Sequence, residues 1–195
     1  MRYIATTAVL AIAGAANAAV FTTQAAFLPN LAPGFFFNDF NTVPNGASGP
    51  LNFSGNGFAY TVGTQIGAVS GLFNDGGRIS TDNATDQIVI TFTGAPVTAV
   101  GGNFWSTDIN FNPIATTVTV NLSNGDSASF NSTSSADFRG FTSAVAIASL
   151  SIDAQETPSF AWATLDNLYV GQEIPAPSSL ALLGIGALAA ARRRR

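Results

Sequence analysis

The feature that most constrains this chain is a two-residue alternation of apolar and polar side chains, repeated along its middle. Asp86 to Thr93 puts Ile88, Ile90 and Phe92 on one side. Thr117 to Leu122 does the same with Val118, Val120 and Leu122. A period of two is that of a strand with one buried face, not of a helix. Ser123-Asn124-Gly125-Asp126 follows the second run, and Ser127 to Phe130 returns from it. Asn-Gly between alternating runs is a hairpin signal, because both residues accept the positive φ that a tight turn needs. Further strand-like runs are Phe35–Phe40, Phe58–Val62, Ile66–Phe73, Val97–Trp105, Phe138–Thr142, Ala146–Asp153 and Phe160–Val170. No run between the two ends has the periodicity of a ten-residue helix, and no repeat of 20 to 50 residues is visible. Asn41–Gly57, rich in Asn, Gly, Ser and Pro, reads as loop. The expected fold is all-β, an antiparallel β-sandwich or jelly roll.

Composition removes several chemistries. Charged residues are 9% of the 195, against roughly 25% in an average domain. There is no Lys, His or Cys, while Thr (20), Ser (17) and Asn (16) abound. That excludes Ser-His-Asp and Cys-His nucleophiles, His- or Cys-ligated zinc, iron–sulfur clusters and disulfides. Seven Arg against eleven Asp and Glu do not suit a nucleic-acid binder. No glycine-rich loop follows a strand and opens a helix, so nucleotide binding has no support.

The two ends carry addresses. Arg2, the apolar stretch Ile4–Ala16 and the small residues Ala16 and Ala18 form a signal peptide over residues 1–18, with signal peptidase cutting after Ala18. Read instead as an anchor, the stretch is too short for about 30 Å of hydrocarbon. At the other end, residues 174–195 hold Pro175-Ala176-Pro177, an uncharged run Ser178–Ala191, and Arg192, Arg193, Arg194 and Arg195. The prolines end any strand before them. The Leu- and Ala-rich run forms a short hydrophobic helix of about 21 Å at 1.5 Å per residue. The arginines stop transfer and stay cytoplasmic. A short anchor behind a Pro motif suits a temporary tether that a processing enzyme removes; the alternative is a plain tail anchor.

This tail resembles the PEP-CTERM sorting domain, with Pro175 and Pro177 matching its Pro motif and Arg192 to Arg195 its basic end. Ala176 stands where the family usually has Glu. The resemblance implies export in a Gram-negative bacterium that makes exopolysaccharide and biofilm. It implies transient residence in the inner membrane, removal of the tail by an exosortase, and delivery to the outer surface or extracellular matrix. The segments Val100–Trp105, Phe138–Phe141 and Ala163–Gly171 are similar to the secreted β-sandwich bodies that precede such tails, which bears on fold and export only.

Between the addresses lies a body of residues 19–173, where Arg78 and Arg139 face eleven acids for a net charge of −9. Such a body avoids nucleic acid and other anionic surfaces. Two clusters in it are candidate sites. Asn74, Asp75, Asp82, Asn83 and Asp86 offer hard oxygen ligands, which makes Asp82 and Asp86 the candidate calcium pair and calcium the one candidate cofactor. The competing reading is turn chemistry, in which these side chains bond their own backbone. Asp108, Asn110 and Asn112 alternate beside Trp105 and Phe111; amides and a carboxylate next to an aromatic ring suit a sugar. That makes Trp105, Asp108 and Asn110 the candidate ligand-binding residues, against a polar loop with Trp105 in the core. Arg139, Asp166 and Asn167 read as an ion pair or a bulge. No acid pair stands out for glycoside hydrolysis: Glu156 and Glu173 look like loop residues. The four Asn-x-Ser/Thr sequons, at Asn52, Asn83, Asn121 and Asn131, are compositional. No catalytic residue is therefore assigned.

The expected protein is an exported, non-enzymatic sandwich with a structural or adhesive role in exopolysaccharide or biofilm. Its expected partners are signal peptidase, an exosortase and exopolysaccharide. A carbohydrate-binding module, calcium-dependent or not, is the alternative, and a glycan-degrading enzyme using Asp residues ranks third.

Overall fold

Among the described residues the alternation resolves into fourteen strands. The computed structural model describes residues 18–156 and 160–174. The strands are β1 (Ala19–Phe21), β2 (Phe36–Asn38), β3 (Gly46–Ser48), β4 (Leu51–Gly55), β5 (Phe58–Thr64), β6 (Leu72–Asp75) and β7 (Arg78–Thr81), then β8 (Ile88–Phe92), β9 (Ala99–Thr107), β10 (Thr116–Leu122), β11 (Ser127–Ser132), β12 (Phe138–Thr142), β13 (Ser149–Ala154) and β14 (Trp162–Gly171). They form two sheets in which every pairing is antiparallel. The eight-stranded sheet runs β1-β12-β9-β14-β7-β6-β3, with β2 beside the second half of β14. The six-stranded sheet runs β11-β10-β13-β8-β5-β4. This is an antiparallel β-sandwich.

The inner faces make the core. Ile88, Ile90, Val118, Val120, Leu150 and Ile152 come from one sheet; Ile79, Val100, Phe104, Phe141, Leu165 and Val170 come from the other. Each side chain removed from water in this way contributes about 1.5–3 kcal/mol. The hairpin at Asn124-Gly125 forms between β10 and β11, with Asn121 opposite Ser127 and Gly125 at φ 93°. Its Gly125 N–H donates to the Leu122 carbonyl at 3.0 Å.

Two expectations need correction. Asn41–Gly57 is not loop throughout: it contains β3 and β4. In β4, Leu51 and Phe53 pack against the core while Asn52 and Ser54 face water, an alternation hidden by the polar composition around it. Ile66–Phe73 is strand only from Leu72 onward. Residues 65–70 form a loop, because the buried Asp86 carboxylate accepts from Val69 N–H (2.9 Å), Ser70 N–H (2.9 Å) and Gln65 Nε2 (3.0 Å) and gathers that backbone around itself. Strands β1 and β7, three and four residues long, gave no periodic signal; they exist through pairing with β12 and with β14 and β6.

One short helix, α1 (Gln24–Phe27), precedes a 3-10 turn at Leu28–Asn30. The Thr23 hydroxyl caps it, accepting from Ala26 N–H at 3.2 Å. Four residues do not hold a helix by themselves. Packing does: Phe27, wholly buried, sits against the outer face of the eight-stranded sheet over the paired glycines Gly101 and Gly140. A Cβ at Gly140 would lie 2.5 Å from the Phe27 ring, and one at Gly101 2.9 Å from it. The two glycines are the hollow into which the ring fits.

Candidate functional site

On the outer face of the eight-stranded sheet, the pairing registers order the side chains in rows. Phe138, Asn103 and Asp166 stand side by side on β12, β9 and β14. The next row is Trp105, Thr164, Ser80 and Phe73, on β9, β14, β7 and β6. Thr107 and Trp162 form the row after that. Hydroxyls tie the rows together: Thr107 Oγ1 lies 3.1 Å from Thr164 Oγ1, Thr164 donates to Ser80 Oγ at 3.2 Å, and Ser80 donates to the Ala163 carbonyl at 3.0 Å.

Two cavities lie on this face. The first, about 230 Å³, is floored by Ser80, Thr81 and Thr107 and walled by Phe73, Phe111 and Trp162, with Asp82 and Asp108 at its edge. Phe111 comes from the loop after β9. Asp108 shapes that loop: its Oδ1 accepts from Asn110 N–H (2.8 Å) and Asn112 N–H (2.9 Å), and its Oδ2 from Asn112 Nδ2 (3.1 Å). These bonds, the Asn112 side chain's first, hold the Asp108 pKa below the usual carboxylate value. Phe111 itself adopts φ 60°, and its ring meets Phe73 at 5.8 Å and the Arg78 guanidinium at 5.5 Å. Arg78 is anchored by Asp75 Oδ2 at 2.6 Å. Phe160, 70% exposed, extends the aromatic wall against Trp162 at 6.4 Å.

The second cavity, about 510 Å³, is polar and lies between the first and α1. Asn103, Trp105 and Asp166 line its sheet side, Gln24 its helix side, and Arg78, whose guanidinium stacks over Phe111 of the first cavity, lines it as well. Strand β14 is bulged here: Asp166 faces Asn103 and Tyr169 faces Gly101, so three steps on β14 match two on β9. The extra residue is Asn167, at φ 53°, and its N–H donates to Asp166 Oδ1 at 2.6 Å. Burial raises the Asp166 pKa, which the Asn167 bond lowers in part. Trp105 is 1% exposed, and its Nε1–H finds no acceptor among the described residues.

The residues singled out in the sequence are thus redistributed. Asp82 and Asp108, from separate clusters, share the first cavity. Trp105 faces the second, and Asn110 lies on the exposed loop beside Asp108. Asp86 is in neither, since its oxygens hold the 65–70 loop. Arg139 stacks over Phe130 at 3.6 Å rather than pairing with an acid. Among the described residues no three carboxylates come together to hold a metal. Sequence reading passed over Phe73, Trp162, Asn103 and Arg78. The signal for them was the alternation itself: Asn103, Trp105 and Thr107 share a face, as do Trp162, Thr164 and Asp166.

The same registers place both ends of the body. Ala19 pairs with Thr142, Thr142 with Ala99, and Ala99 with Gly171. The chain therefore enters and leaves the sheet at one end, about 14 Å apart at ~4.8 Å per strand. Thr107 and Trp162 mark the other end of the same strands, about 26 Å away at ~3.3 Å per residue.

Residues 173–195 match the family description of the PEP-CTERM protein-sorting motif. The chain carries a PEP-CTERM sorting motif. No curated protein and no solved structure matches it. That motif supports an exported protein, held transiently at a membrane and processed by an exosortase. Pro175, Ala176, Pro177, the hydrophobic run 178–191, Arg192 to Arg195 and Ala16 lie outside the described residues, while Ala18 donates its N–H to Asp126 Oδ2 at 3.1 Å. Among the described residues no helix is long and apolar enough to cross a membrane.

Proposed function

We propose that the processed body is a glycan-binding sandwich of the outer surface or extracellular matrix, adhesive rather than catalytic, with exopolysaccharide as its partner. One observation carries this reading. The first cavity sets three aromatic rings beside the Asp82 carboxylate, which has no side-chain hydrogen bond among the described residues, at the end of the sheet far from Gly171, where the chain leaves it. Rings stack on the apolar face of a sugar, while the Asp82 carboxylate meets its hydroxyls. A protein tethered through residue 174 and beyond would turn this cavity away from the membrane. Binding is favoured over hydrolysis because the Asp108 carboxylate is spent on its own loop.

The test is affinity electrophoresis of the mature body in gels cast with exopolysaccharide from the producing strain, followed by calorimetry on fragments of it. The wild type is retarded. Trp162→Ala and Phe111→Ala, folded by circular dichroism, lose at least tenfold in affinity, and chelator changes nothing. Free migration of the wild type in every polysaccharide, or release of reducing ends, overturns the reading.

A further inference from the structure

The second cavity is larger than the first, yet the aromatic reading does not use it. We infer that it is a second sugar subsite in line with the first, so that the protein binds an oligosaccharide laid along β9 and β14 rather than a single sugar. This rests on the glycan reading of the first cavity and deepens it. The two cavities lie on one sheet face, and Arg78, which lines the second, stacks over Phe111, which lines the first. Side chains two residues apart on a strand are separated by about 6.8 Å. The row of Asn103 and Asp166 and the row of Thr107 and Trp162 are thus about 14 Å apart. That span exceeds one sugar ring.

The chemistry of the second cavity is that of hydroxyl recognition. A buried N–H without an acceptor is rare in proteins and costs free energy unless something completes it. Trp105 supplies such a donor in a residue 99% removed from solvent. Asn103 has no hydrogen-bond partner for its amide among the described residues, and it stands next to the half-buried Asp166 carboxylate, a strong acceptor. One donor, one amide and one carboxylate on a polar floor suit the paired donor and acceptor character of sugar hydroxyls. Arg78, already bound to Asp75, leaves the cleft without a surplus of positive charge, so a neutral glycan fits better than a phosphate.

The chain has two tryptophans, and each lines one cavity. The two indole N–H resonances of the ¹⁵N-labelled mature protein therefore report the two cavities separately. With single sugars and with hexasaccharide fragments of the same exopolysaccharide, the expected result is length-dependent. The long ligand shifts both resonances, Trp105 Nε1–H downfield as it gains an acceptor, and binds at least tenfold more tightly than the short one. Asn103→Ala removes that tenfold gain and leaves short-ligand affinity unchanged. Asp166→Asn, which keeps the shape, reduces the gain in the same way. If the long ligand shifts Trp162 alone and Asn103→Ala has no effect on either length, the second subsite is wrong and the glycan reading stands. If neither resonance moves with any fragment, both fail.

Discussion

The outer face of the six-stranded sheet carries Asn52, Thr61, Thr91 and Ser149 in one row and Asn121, Ser151 and Val89 in another. The outer face of the eight-stranded sheet, in the same positions of the pleat, carries Phe138, Asn103, Asp166, Trp105 and Trp162. Both faces look away from one shared core. The first is shallow because its side chains are small: Thr119 and Ser129 share a hydroxyl bond at 2.8 Å in full view of water. The second is deep because α1 and the loop after β9 rise above it and leave cavities between them. Large side chains, a bulge with a left-handed Asn167 and a buried donor without an acceptor all fall on this one face. A sandwich needs one buried face per sheet; the second elaborated face is in excess of what folding requires, and the glycan-binding proposal rests on that excess.

The largest effect that would break this difference is loss of the wall between hollow and cleft. Phe27→Ala empties the space above Gly101 and Gly140, and we expect a loss of about 4 kcal/mol in urea unfolding together with weaker glycan binding. Next is Asp86→Ala, which leaves the Val69 and Ser70 N–H groups and the Gln65 amide unpaired. It should cost about 2–3 kcal/mol and speed hydrogen exchange over residues 65–70 while leaving glycan affinity intact, since this loop borders neither cavity.

A smaller effect sharpens the comparison through pH. Burial raises the pKa of Asp166 in the folded state, so the folded chain holds its proton to higher pH than the unfolded chain does. Stability is then fullest below the ordinary carboxylate range and declines as pH rises through the raised value. Asp166→Asn removes that decline: the variant matches the wild type in acid and is the more stable of the two at neutral pH, measured by thermal melts across pH 3 to 8 at about one-unit steps. The smallest effect is on the plain face. Thr119→Ala with Ser129→Ala should change stability by less than about 0.5 kcal/mol and binding not at all, by the same melts and calorimetry.

Much of the fold could be read along the chain, because a half-buried strand announces itself by alternation. Ile88, Ile90 and Phe92, and the Asn124-Gly125 turn, are local signals with local causes. Leu51 and Phe53 alternate as well, but Gly, Pro and Asn around them carried the reading toward loop. The site was only half visible for a different reason. Trp105 and Asp108 are three residues apart, yet they serve different cavities; Asp82 and Asp108 are far apart in sequence and serve the same one. Which strands stand side by side decides such meetings, and the pairing of β14 with both β9 and β7 is written nowhere in the alternation of any single strand.

The most direct test of the two-face account uses the absence of cysteine, which makes any introduced thiol unique. Ile109→Cys places one at the rim of the aromatic cavity, where the native side chain is exposed, and Asn121→Cys places one on the exposed face of the six-stranded sheet. Each is coupled to a bulky maleimide and its retention measured in exopolysaccharide gels before and after coupling. The account predicts that coupling at residue 109 abolishes retention and coupling at residue 121 leaves it unchanged. Equal loss at both positions, or loss at residue 121 alone, would contradict it.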